Sequence, residues 1–179
     1  TINYNQIYEL LMALNLTIYT PSNYIMPSRL DKYADLSKGK GLTQQGREEG
    51  IRRLMSINLL KRLESSVYSF RLTLDRIKKL IEDTIQTIGD YQSGGQTIDL
   101  MDMADVTEFD EDDQNTDFFS VGKKVRIDLE DMDYVTWGNE LKQDAENLEL
   151  LSLMIADITP EHDTKLQTLY ELLRKKIEE

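Results

Sequence analysis

Apolar residues recur along this chain at steps of three and four, the spacing of one face of an α-helix. The longest such run holds Leu60, Leu63, Val67, Phe70, Leu74, Ile77, Ile81 and Ile88, with polar Thr84 filling one place on the stripe. No proline interrupts residues 43–88. The pattern predicts one long spine helix over 43–88, opened by Thr43 as a weak cap, with an a/d-type seam carried over four heptads. Such a helix extends about 60 Å at a rise of about 1.5 Å per residue. It is too long for a small compact core, so it is expected to protrude or to form a spine for shorter helices.

A second stripe holds Trp137, Leu141, Leu148, Leu151, Ile155 and Ile158, with Asp144 on one seam position. It predicts a partner helix over 132–158, antiparallel to the spine. Residues 1–42 read as short helices: Ile7, Leu10, Leu11 and Leu14 form one stripe, Pro21 and Pro27 set boundaries, and Ser22 and Ser28 are expected caps. The sequence SKGKG at 37–41 reads as a turn. Residues 89–131 break the pattern with Gly94-Gly95 and a dense run of acids, so an acidic loop is expected, with a short extended segment near its end. Residues 159–179 open on Thr159-Pro160-Glu161, a helix-start signal, and carry Leu166, Leu169, Leu173 and Ile177 on one stripe. Arg174, Lys175 and Lys176 lie near the C-terminal end, where the helix dipole favours cations. The fold expected is all-α: an elongated antiparallel helical bundle built on one long helix, with an acidic hairpin-tip loop.

Composition agrees. Of 179 residues, 40% are hydrophobic and 30% charged, with three prolines and nine glycines, which argues against a turn-rich β protein. There is no cysteine and one histidine, so disulfides, thiol chemistry and ordinary zinc sites are excluded. No apolar run approaches a membrane span and no signal peptide is visible, so a cytoplasmic location without membrane contact is expected. The chain opens on Thr1, and a piece of a longer protein is the expectation. The net charge of −12 is unevenly spread. Residues 29–79 carry a net +7 and residues 80–163 a net −19. The basic block can meet phosphates locally even though the whole chain repels them.

Little else points to chemistry. No phosphate-cradling glycine loop of either common spacing is present, and SKGKGLT has the wrong spacing. The run DEDDQNTD at 110–117 lacks the glycine and the closing glutamate of a calcium-binding loop. No catalytic, cofactor-binding or metal-binding residue is therefore expected. One stretch stands out: NLLKRLESSVYSF, residues 58–70, places two cations and two serines inside the seam region. Lys61, Arg62, Ser65 and Ser66 fall off the apolar stripe. With Arg52 and Arg53 they are the candidate face for docking to nucleic acid or to a neighbouring domain, although the cations do not form a single stripe.

The stretch RRLMSINLLKRLESSVYSFRLTLDRI, residues 52–77, resembles a segment of bacterial superfamily-two helicases on the Swi/Snf-related branch, found between their two RecA-type lobes. Tyr24-Ile25-Met26-Pro27-Ser28, continuing to Tyr33, is similar to the stretch those proteins carry upstream. TPEHDTK at 159–165, followed by LQTLYELLRKKIEE, resembles the helix entering the second lobe. The resemblance covers most of the chain apart from the acidic loop. It implies an ATP-dependent helicase or DNA translocase as the parent, with ATP and Mg²⁺ as its cofactors and their ligands outside these residues. This chain would then be inactive alone. Its implied partners are the RecA-type lobes of the same parent chain and double-stranded DNA. The acidic loop is an unexpected feature for a DNA-gripping surface and would suit a protein partner. The alternative is a stand-alone coiled-coil or helical-bundle interaction module that oligomerises through the 60–88 seam.

Overall fold

The computed structural model describes residues 4–37, 43–94, 127–157 and 163–178. The described residues form five α-helices: α1 (Tyr4–Ala13), α2 (Gln44–Ser65), α3 (Val67–Gln92), α4 (Tyr134–Ala156) and α5 (Asp163–Glu178). Short 3-10 segments lie at Thr17–Tyr19, Pro21–Tyr24, Pro27–Ser37 and Leu129–Asp131. Among the described residues the only β feature is an isolated antiparallel bridge between Ile25 and Met132. The all-α class expected from periodicity is what is found.

The single spine helix is not. The chain breaks at Ser66, which is extended at φ −169°, ψ 126°. Its N–H closes α2 on the Arg62 carbonyl at 2.9 Å. Its hydroxyl oxygen then caps α3 by accepting from the Ser69 amide at 3.2 Å. Ser65 donates its own hydroxyl to the Arg62 carbonyl at 3.2 Å. Serine competes with the helix for backbone groups, which is why it favours ends over interiors. The paired serines thus end one helix and start the next. Leu63 and Phe70 stay in the core on either side of the corner, so the apolar stripe runs through it unbroken. A stripe reports burial, not continuity of the backbone. Ser66→Ala removes the cap and is expected to lower stability by about 1 kcal/mol, with Ser66→Asp restoring most of it. Urea unfolding followed through the single tryptophan measures this; an unchanged midpoint would mean that the cap contributes nothing.

α2 and α3 pack on each other, and α3 packs along α4. The α3–α4 pairing is antiparallel. Arg71 donates to the Ile155 carbonyl at 3.4 Å, Lys78 pairs with Glu149, Ile88 lies against Gly138, and Tyr91 meets Tyr134 edge-on at 5.4 Å. The last contact places α3 one turn beyond its expected end at Ile88. The predicted stripe of α4 is buried at every described position, including Asp144. Asp133 opens that helix, its carboxylate accepting from the Thr136 amide at 3.2 Å. The main core joins α1, α2, α3 and α4 with Ile127, Leu129 and Met132. A small separate cluster, Leu60 with Leu173, docks α5 on α2 with help from Leu11 and Ile177.

Ser22 was expected to cap a helix. Instead it lies inside the 3-10 turn that begins at Pro21. The predicted 89–131 loop begins later than expected, since α3 continues to Gln92. Residues 38–42, 95–126 and 158–162 lie outside the described residues, and with them most of the turn expected at 37–41 and of the expected acidic loop.

Candidate functional site

The most organised polar chemistry surrounds an irregular strap, residues 14–33, that runs across α2 and α4. Three buried carboxylates from three different elements hold it. Asp144, on α4, is fully buried. Its Oδ1 accepts the Asn15 amide at 2.9 Å and its Oδ2 the Thr17 amide at 3.2 Å. Between these donors Leu16 is left-handed, at φ 48°. Successive amides around a left-handed residue curl into a concave nest for an anion, here filled by a side chain of the same protein. The left-handed leucine is strained, and the carboxylate together with the burial of Leu16 holds it there. Burial pushes the Asp144 carboxyl up from the ordinary range, while the strap amides pull the other way. About two helical turns away, Trp137 donates its indole N–H to the Thr17 carbonyl at 2.9 Å.

Glu48, on α2, accepts the Ser22 amide at 2.8 Å and the Gln44 side-chain amide at 2.8 Å. It too is buried, and burial raises its pKa. Asp131 accepts from Tyr33 Oη at 2.6 Å and Lys32 Nζ at 2.8 Å. Burial works to raise Asp131, but these donors more than offset it and leave the group lowered. Around it the backbone closes the strap: the Met26 amide reaches the Asp131 carbonyl at 2.8 Å, and the Asp133 amide the Tyr24 carbonyl at 2.7 Å. Tyr24 also donates to Glu140, and burial followed by that carboxylate drives the phenol well above its usual range.

The signs of these shifts differ. Glu48, with a raised folded pKa, adds stability that is present below its unfolded pKa and is lost as pH rises through the folded one. Asp131 does the reverse: its contribution is present at neutral pH and is lost as pH falls through its lowered pKa. Glu48→Gln keeps the acceptor for Ser22 and removes the buried charge. At pH 7 the variant is expected to match or exceed wild-type stability. The difference should shrink as pH falls toward about 4.3, the unfolded glutamate value. Urea midpoints at the two pH values measure it, and a large loss at pH 7 would show that the ionised carboxylate is required.

Asp128, Glu130 and Asp131 bring their carboxylates together. The place a cation would take is filled by Lys32, whose ammonium lies 3.2, 3.9 and 2.8 Å from them. Lys32, Asp128, Glu130 and Asp131 thus form one ion-pair network.

The six predicted docking residues do not share one surface. Ser65 and Ser66 form the α2–α3 corner, with Lys61 exposed and Arg62 half-buried just before it. Arg52 and Arg53 instead line a cleft of about 520 Å³ between α1, α2 and α5. Arg52 is fixed by Glu49, to which its Nε donates at 2.9 and 3.0 Å. Exposed Arg53 reaches the Ile177 carbonyl at 3.5 Å. Lys61 lines a smaller neighbouring pocket of about 260 Å³ with Ile57, Leu60, Arg174, Ile177 and Glu178. The roles of Glu48 and Asp131 gave no sequence signal. That of Asp144 gave one, an acid on an otherwise apolar stripe.

Comparison with known protein families, with curated proteins and with solved structures finds no match to this chain. No described helix is long and apolar enough to cross a membrane.

Proposed function

We propose that the chain is a non-catalytic helical module of a Swi/Snf-related superfamily-two helicase or DNA translocase, seated between its two RecA-type lobes. The observation that carries this reading is the form taken by residues 52–77, the stretch with the strongest resemblance. It spans the α2–α3 corner, where Lys61, Ser65 and Ser66 face solvent while Leu59, Leu60, Leu63 and Phe70 are buried. A corner with an apolar inner side and a polar outer side suits a rigid elbow that transmits lobe movement. The second similar stretch, Tyr24–Tyr33, belongs to the strap that the buried carboxylates hold. Two of the three resembling stretches thus lie at the α2–α3 corner and in the strap. ATP and Mg²⁺ act in the parent through residues outside this chain.

The flanking gene sequence tests the parentage. An ATP-binding lysine motif is expected upstream and an arginine-finger motif downstream, and their absence would sink the reading. Within the parent, reversing Lys61 and Arg62 to Glu is expected to weaken salt-dependent duplex binding or to uncouple ATP hydrolysis from translocation. If neither changes, those two residues are not the docking face. The stand-alone coiled-coil reading fares less well, because Phe70, Leu74, Ile77 and Ile81 are spent in this chain's own core. Oligomerisation through that seam would require opening the fold, so light scattering of the isolated chain is expected to report a monomer.

A further inference from the structure

We infer that the cleft between α1, α2 and α5 is a binding site for a small amphiphilic anion, an apolar body with an anionic head. The inference does not depend on helicase parentage. The cleft encloses about 520 Å³, within the range of about 300–1,000 Å³ usual for small-molecule sites. Its apolar wall comes from Leu11 of α1, Leu14 just beyond that helix, Leu59 and Leu60 of α2, and Leu173 and Ile177 of α5. The N-terminal half of α2 contributes Gly46 and Gly50 to the lining, one helical turn apart. Glycine inside a helix weakens it, and here the two positions put no side-chain atoms into the space.

The polar side chains of the lining are Glu49, Arg52, Arg53 and Ser56. Glu49 is engaged by the Arg52 fork, and Arg52 is oriented by it. Arg53 has five N–H donors, and the bond to the Ile177 carbonyl sits at the long limit of hydrogen bonding. An arriving carboxylate can accept from two parallel N–H groups of that guanidinium, a shorter and stronger arrangement than the carbonyl contact it displaces. The charged residues of the lining are Glu49, Arg52 and Arg53, a net +1 where the chain as a whole carries −12. An apolar wall with the Arg53 guanidinium in the lining, and Arg52 taken up by Glu49, selects an anion that also carries a greasy tail, over both an uncharged lipid and a bare phosphate.

The test uses the full chain and the fluorescent anion 1-anilinonaphthalene-8-sulfonate, with Trp137 emission as the control for the native state. Saturable one-to-one binding to the folded protein is expected, with displacement by octanoate, decanoate and dodecanoate. The displacing affinity should rise by about two- to fourfold per added methylene. Gly50→Leu projects a side chain into the cleft and should weaken binding at least tenfold. Arg53→Glu, a change at an exposed position that leaves the core intact, should do the same. No saturable binding, wild-type affinity in both variants, or an affinity independent of tail length would each overturn the assignment.

Discussion

Replacing Asp144 by alanine is expected to lower the unfolding free energy by about 3 kcal/mol, the result of leaving the buried Thr17 amide and the part-buried Asn15 amide without acceptors. For a chain of this size that corresponds to a fall in melting temperature of roughly 6–12 °C. The carboxylate is fully buried and satisfies the Asn15 and Thr17 amides across the left-handed turn at Leu16. Removing it relieves the burial of a charge, but the donors it served stay behind. Asp144→Asn should fall between the two, because its carbonyl accepts one amide while its NH₂ faces the other. The pH dependence has a defined sign. The folded-state pKa is raised, so this group's contribution is complete below its unfolded value and is lost as pH rises through the folded one. The alanine variant lacks that term, so its deficit should widen as pH falls from 7. Urea unfolding at several pH values, read through Trp137, measures both effects. A loss below about 0.5 kcal/mol, the scale of an ordinary surface change, would show that the nest does not need its anion.

Phe70→Ala is expected to cost about 3–5 kcal/mol, the range for deleting a large buried aromatic. Phe70 is fully buried one turn after the corner at Ser66. Its amide also bonds the Ser66 carbonyl at 3.0 Å, so the side chain anchors the first turn of α3 into the core just where the chain changes direction. Phe70→Leu, which keeps much of the volume, should lose far less. Equal losses in the two variants would mean that the backbone at the corner sets the stability there and the packing does not.

The two helical stripes were legible because burial of one helix face leaves a mark at every third or fourth residue. Trp137, Leu141, Leu148, Leu151 and Ile155 are all buried as that mark implies. The corner was not legible as such. Leu63 and Phe70 keep their places on the stripe across it, and the only trace is the pair of serines, which periodicity treats as neutral. The strap was less legible still. Its residues are positioned by partners far along the chain; Glu48 and Asp131 look in sequence like any two acids among 33, and Asp144 shows only as an acid on an apolar stripe, with no sign of what it binds. A long-range hydrogen bond leaves no local spacing to read. The predicted cationic face divided for a related reason. Arg52, Arg53, Lys61 and Arg62 lie at different angles around one helix, and the neighbouring helices decided which of them share a cleft.

The clamps on residues 14–33 also set an order of events during synthesis. Asn15 and its acceptor Asp144 are 129 residues apart, so at roughly 5–20 residues per second the ribosome needs about 6–26 s to supply the acceptor after the donor is made. Throughout that interval the left-handed turn at Leu16 lacks the group that stabilises it, and Trp137 is not yet present to donate to the Thr17 carbonyl. The strap is therefore made early and docks late, after α2, α3 and α4 have been translated. Its apolar residues Leu16, Ile18 and Ile25, fully covered in the folded protein, spend those seconds as a stretch that chaperones can hold.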